Sequence, residues 1–246
     1  MRRIFGYISL AFIFFILISV WTLKIDNSLG YSEFVSGGAL FFIISFLFLF
    51  NIRKRLPFLP LWPAHKWFLL HTIMGFLALL LFWLHAGSLW PKGLYVQILA
   101  SLFYLTTLSG IVGLIMEKIY PNLLTRIGHE CIYERIPHDI AKIRKKSEKL
   151  ILECTEKTGS DTLAKHYLET LGWFFQRPRF FINNIFGGRD SHNWINQQCA
   201  ILERFLNEAE REYMKQIFTL AEIKRKIDHH YSLQTMLKRW LLVHIP

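Results

Sequence analysis

The sequence predicts an all-α integral membrane protein, with a four-helix membrane domain followed by a cytoplasmic helical domain. Four long apolar runs occupy residues 1–116, which hold only ten charged side chains. The other charges follow in 117–240, where apolar residues recur at helical spacing among lysines and glutamates. The hydrophobic fraction of 52% is high for a soluble domain. Together these observations favour a membrane domain with a polar helical extension.

A transmembrane domain is predicted at 1–117. A helix needs about 20 apolar residues to cross a hydrocarbon core of about 30 Å. Four stretches meet this length, at about 4–23, 34–51, 65–86 and 94–117. Short turns rich in polar residues, proline or glycine separate them. The chain begins Met-Arg-Arg, and no small-x-small cleavage site follows the first apolar run, so we expect a retained anchor rather than a signal peptide.

The polar domain is predicted at 118–237 as a bundle of amphipathic helices. We expect helices at 138–157 and 161–176, and one long helix from Ser191 that continues past Ile227. After Lys238 and Arg239 come the apolar residues of segment 238–246, which resembles the opening of another membrane helix. Either this tail only touches the interface, or it is the start of a truncated fifth span.

The distribution of positive charge predicts the orientation. Arg2, Arg3, the cluster 53–55 and Lys66 fall on one side of four spans, whereas the opposite loops carry few basic residues. Because loops rich in lysine and arginine stay in the cytoplasm, the N-terminus and the polar domain are expected there. The net charge of +11 then fits a basic surface beside anionic membrane lipid. No nucleic-acid motif is present, so we expect no nucleic-acid partner.

Two histidines stand fourteen residues apart in the third span, His71 and His85. At about 100° and 1.5 Å per residue, they share one helix face and lie roughly 21 Å apart, one toward each membrane surface. Polar residues at this depth are costly and usually functional, and imidazole is a standard axial ligand of haem iron. The spacing therefore favours one haem per leaflet. The alternative is that each histidine is a polar side chain hydrogen-bonded to a neighbouring helix.

Other residues are candidates to complete a haem site. The second axial ligand to pair with His71 is predicted to be His244, whereas His85 has no comparable partner. We therefore expect at most one well-ligated haem, near the cytoplasmic side, or a second haem that a missing segment or another subunit completes. Gly75 leaves room beside His71, and Gly110 and Gly113 in the fourth span allow close approach, with ordinary helix packing as an equal alternative. Any of three basic residues, Arg53, Arg55 or Lys66, could clamp a haem propionate. For the charge run 53–55, a solvated face near headgroups is the simpler interpretation.

The cysteines, the other histidines and the motif content of the sequence give no support to other chemistries. Cys131, Cys154 and Cys199 are scattered without a CxxC pair, which argues against covalent haem, an iron–sulfur cluster or a zinc site. His229 and His230 are predicted to be a solvated pair. There is no GxGxxG loop and no nucleophile–base pair that stands out.

Two stretches carry a resemblance to a known class of proteins. Leu108–Pro121 and Gly128–Pro137 resemble the fourth span and its continuation in bacterial membrane cytochrome b-like proteins, as does the third span. More loosely, the third span resembles the di-haem cytochrome b561 and ferric reductase-like families. The resemblance implies a bacterial inner-membrane location, haem b (one or two), and His71, His85 and His244 as iron ligands, with a fourth ligand missing.

These observations lead to one expected function and one rival. We expect a b-type haem-binding membrane subunit that carries electrons between a quinone or soluble donor and a redox partner protein, rather than a self-sufficient enzyme. The rival is a haem-free membrane scaffold whose cytoplasmic helical domain recruits a partner protein.

Overall fold

The computed structural model describes residues 2–55, 63–128 and 131–245, with side chains described in 6–49, 63–128 and 131–245. All regular structure in these ranges is helical, which confirms the all-α part of the predicted fold class. The chain divides into two compact units, Met1–Val112 with His244–Pro246, and Gly113–Val243.

Within the part of the chain that the structure describes, four helices are long and apolar enough to cross a membrane, as the sequence predicts. They are α1 (Arg2–Asn27), α2 (Ser32–Arg55), α3 (Ala64–Ala86) and α4 (Leu94–Arg126). Their apolar side chains face outward along much of their length, which suits contact with lipid tails. These helices indicate a multi-pass membrane protein.

In the first unit, α1, α2 and α3 pack against one another. Their shared core consists of the buried residues Leu40, Ile43, Leu77, Ala78 and Leu81. Helix α3 ends at Gly87, whose φ of +64° and N–H bond to the Trp83 carbonyl form a left-handed helix end that glycine adopts without steric cost.

The second unit contains the end of α4, from Gly113, and the α-helices that follow it. They are α5 (Ile136–Thr158), α6 (Thr162–His166), α7 (Gly172–Gln176), α8 (Phe181–Ile185), α9 (Asp190–Glu203) and α10 (Glu208–His244). A wide π-helical turn, Tyr167–Leu171, joins α6 to α7. Buried side chains from α5, α7, α9 and α10 form its main core.

The single long helix predicted from Ser191 is in fact two helices, α9 and α10. The break falls at 204–207, where the sequence has neither glycine nor proline. Asn207 Oδ1 accepts the Glu210 backbone N–H at 2.8 Å, and Glu210 Oε2 accepts the Asn207 N–H at 2.9 Å. This reciprocal capping box satisfies backbone donors that a new helix leaves open, and so begins α10.

The end of α4 and the end of α10 pack together within the second unit. Met116 and Tyr120 of α4 and Leu233 of α10 are buried against each other. Helix α10 runs without a break to His244. Most of the segment predicted as the start of a fifth span, 238–246, is thus the last part of α10.

Candidate functional site

His71 and His244 lie side by side in the first unit. His71 stands in the second turn of α3, and His244 is the last residue of α10. Their ring centres are 6.2 Å apart and the ring planes are nearly perpendicular, at 80°. Both side chains are half-buried. The fold thus joins two histidines from distant parts of the chain at one place.

Two glycines shape the surroundings of these rings. A β-carbon at Gly110 would lie 3.4 Å from Cε1 of His244, so α4 presents a bare backbone to that ring. A β-carbon at Gly75, one turn from His71 on α3, would meet no heavy atom within 4 Å. There is consequently close packing on the His244 side and open space near His71.

His85 has different surroundings, on α2. Its Nδ1 is 3.1 Å from the hydroxyl oxygen of Ser36, and its ring lies over Gly37. Ser36 is only 2% exposed, whereas His85 as a whole is exposed. Such a contact is expected if His85 is a polar side chain hydrogen-bonded to a neighbouring helix, which was the alternative to haem ligation. Neither Ser36 nor Gly37 was predicted from the sequence, although the small-residue run 36–38 inside an apolar span was a usable signal.

Gly113 takes part in helix packing with Trp240. A β-carbon there would overlap the six-membered ring of the indole. Both residues belong to the second unit. Of the two explanations that the sequence left open for this glycine, its contact in the structure is ordinary close approach of two helices.

The two arginines predicted as propionate clamps, Arg53 and Arg55, fall in the last turns of α2. Their side chains lie outside the described residues. Their role stays a prediction.

The second unit contains a buried ion pair that sequence reasoning missed. Lys224 and Asp228, one turn apart on α10, are 0% and 1% exposed, with Nζ and Oδ2 2.5 Å apart. Lys224 also donates to the Arg177 carbonyl at 2.9 Å, and Asp228 accepts the Arg179 backbone N–H at 3.2 Å. Burial raises the pKa of Asp228 to about 6 and lowers the pKa of Lys224 to about 8. These contacts fasten the segment before α8 onto α10.

The prediction that His229 and His230 form a solvated pair is wrong. His230 is 5% exposed and His229 is half-buried. Burial lowers the pKa of His229. Helix α10 is packed on several sides, and for this reason a polar residue on it need not face water.

Across the described ranges, no group of three or more histidine, cysteine or acidic side chains could hold a bare metal ion. A haem iron has a smaller requirement, because the macrocycle supplies the equatorial nitrogens and the protein adds only axial ligands. Two neighbouring imidazoles are enough for that.

Comparisons with protein-family models, with curated proteins and with solved structures find no match to this chain.

Proposed function

We propose that this chain is a b-type haem-binding membrane subunit that carries electrons between a quinone or soluble donor and a redox partner protein. The observation that carries the proposal is the approach of His71 to His244 within a predominantly apolar membrane unit. Polar side chains at such depth are costly, and in membrane proteins they usually mark cofactors or transport paths.

The spacing of the two rings suits an iron atom between them. Bonds of about 2 Å from a metal to each imidazole nitrogen would put two coaxial ring centres about 6 Å apart. The centres of His71 and His244 are separated by 6.2 Å. With one nitrogen of each ring turned toward the other, His71 and His244 would hold the iron between them. The residues present therefore fit the group.

The surroundings contribute burial and orientation. Gly110 lets the His244 ring rest against α4, and the open space beside Gly75 leaves room for a flat group next to His71. A bound haem would supply the one-electron couple, and the protein sets its potential through ligand identity, burial and hydrogen bonding. The helices around the two rings are predominantly apolar.

The haem test compares variants of the two histidines in purified protein. We expect His71→Ala and His244→Ala each to lower haem content in a pyridine haemochrome assay, while His138→Ala, an exposed histidine of α5, leaves it unchanged. Absence of a Soret band from the parent chain, or unchanged haem in both variants, would overturn the proposal and leave the haem-free scaffold as the better function.

We further propose that the protein lies in the bacterial inner membrane, with its N-terminus and polar domain in the cytoplasm. This proposal rests on the basic residues of the N-terminus and of the loop after α2.

A membrane-impermeant maleimide tests this orientation in intact cells. Cys154 is 0% exposed and is a poor reporter, so Ser88→Cys and Glu156→Cys, both exposed positions, are placed separately in a Cys131→Ala/Cys199→Ala background. Ser88→Cys should react, and Glu156→Cys should react only after permeabilisation. The reverse pattern would overturn the orientation.

A further inference from the structure

The hydroxyl of Ser36 carries one proton but lies within hydrogen-bonding distance of three polar atoms. Its oxygen lies 3.1 Å from His85 Nδ1, 3.3 Å from the Ser32 carbonyl and 3.4 Å from the Glu33 carbonyl. A hydroxyl donates one hydrogen bond and accepts up to two. When its proton goes to a carbonyl of its own helix, the oxygen is left to accept a proton from Nδ1 of the imidazole.

Gly37 fixes the ring from a second direction. A β-carbon at this position would lie 2.9 Å from Cε1 of His85, closer than real side chains approach. The ring therefore rests on the bare backbone of α2, next to the serine that it contacts. Two adjacent residues of α2 thus define both the position and the rotation of one imidazole on α3.

The contact with Ser36 uses Nδ1 and leaves Nε2 unbonded to that serine. His85 as a residue is exposed, whereas Ser36 is 2% exposed, and Nε2 lies 3.5 Å from the position of a β-carbon at Gly37. With Ser36 as the acceptor, the contact would follow the way in which proteins prepare a metal-binding histidine: one ring nitrogen donates to a fixed acceptor, which sets the tautomer and leaves the other nitrogen as the ligand atom.

We propose that Ser36 and Gly37 position His85 with its proton on Nδ1, so that Nε2 is offered as an axial ligand to a second haem iron. The inference rests on the proposed function for its ligand, and on the geometry of α2 and α3 for its positioning. Helices α1, α2 and α4 contain no histidine. His85 is therefore the imidazole ligand that the membrane helices would provide at this second site. Ser36 is a positioning residue: it acts on the iron through His85.

The positioning is tested without haem, by ¹⁵N NMR of the histidine-labelled full chain in lipid bilayers. The His85 signals, identified by their loss in His85→Gln, should show a protonated Nδ1 and a bare Nε2. Ser36→Ala should mix the two tautomers, and Ser36→Thr should restore the parent spectrum. Ser19→Ala is the matched control, because Ser19 is a membrane serine that donates to its own helix at Phe15. An Nε2-protonated ring, or a spectrum that Ser36→Ala leaves unchanged, would overturn the inference.

The role in ligation is tested with haem. A side chain that holds a metal-binding histidine in place typically contributes a factor of about 10 to 100 in metal affinity, so Ser36→Ala should weaken binding of the His85-dependent haem to that extent. The His71- and His244-dependent haem should be unaffected. Gly37→Ala should also weaken the second haem, whereas Gly38→Ala, whose β-carbon meets nothing within 4 Å, should not.

The two proposals fail in different ways. If no variant and no parent chain binds haem, the proposed function fails and the ligand role of His85 fails with it, while the tautomer measurement still decides the positioning. If haem binds at His71 and His244 but Ser36→Ala leaves haem binding at the His85-dependent site unchanged, only the inference about positioning is wrong.

Discussion

Trp240 lies over Gly113, where a β-carbon on α4 would overlap the indole ring. The contact joins the end of α10 to α4 beside the buried residues Met116, Tyr120 and Leu233. Glycine is a poor helix former, costing about 1 kcal/mol relative to alanine in a helix interior. Its presence here is explained by the space that the indole requires.

Gly113→Ala should therefore destabilise the protein despite the better helix propensity of alanine. Overpacking of a well-filled contact costs about 1–3 kcal/mol, and thermal unfolding followed by circular dichroism measures it. Gly6→Ala in α1, where a β-carbon meets nothing within 4 Å, is the control and should not destabilise. In a Trp240→Leu background the penalty of Gly113→Ala should shrink. An equal penalty in both backgrounds would mean that the indole is not the cause.

Lys224→Met should strongly destabilise the second unit. The substitution leaves Asp228 as a buried charge without its partner and removes the donor to the Arg177 carbonyl. Breaking a buried pair in this way typically costs about 3–5 kcal/mol. The exposed pair Asp161–Lys165 has the same four-residue spacing, with 2.7 Å between its charged atoms. Lys165→Met should therefore change chemical denaturation little, and similar losses for the two variants would contradict the argument from burial.

The stability of the protein should also depend on the protonation of Asp228. Burial raises the pKa of this carboxyl from 3.8 to about 6 against the opposing effect of Lys224. Between these pH values the unfolded chain ionises first, so this group's contribution is fully present below 3.8 and is lost as pH rises through about 6. The free energy of unfolding of the parent protein should thus fall over that window relative to Asp228→Asn.

The measurement is the difference between the two proteins at each pH, because other carboxylates titrate in the same range and cancel in the difference. A difference that grows in favour of the parent protein as pH rises would contradict the raised pKa.

The membrane helices could be predicted from the sequence because length and hydropathy alone determine whether a helix can span. Their ends could not. Helix α1 continues to Asn27 through residues that the sequence suggested were a turn, and α4 continues through Pro121 to Arg126. Where a helix ends depends on capping contacts and on its neighbours, which a composition window does not report.

The candidate site shows the same division. The sequence suggested His71, His85 and His244, because histidines in apolar segments stand out. It did not suggest Ser36, because a serine in a membrane helix can bond to its own backbone and needs no tertiary partner. Nor did it suggest burial of Lys224 or His230, since charged and polar residues in an amphipathic pattern are assigned to the solvated face.

The polar side chains Lys224, Asp228 and Ser232 repeat every fourth residue along one face of α10, and they meet the segment 177–184 through separate hydrogen bonds. An apolar contact surface would tolerate sliding by a turn with little loss, whereas each of these donors and acceptors is satisfied in only one alignment. Buried polar groups of this kind can define register rather than add net stability. Replacing Lys224 and Asp228 together by apolar residues would then leave the second unit folded but free to settle in more than one alignment.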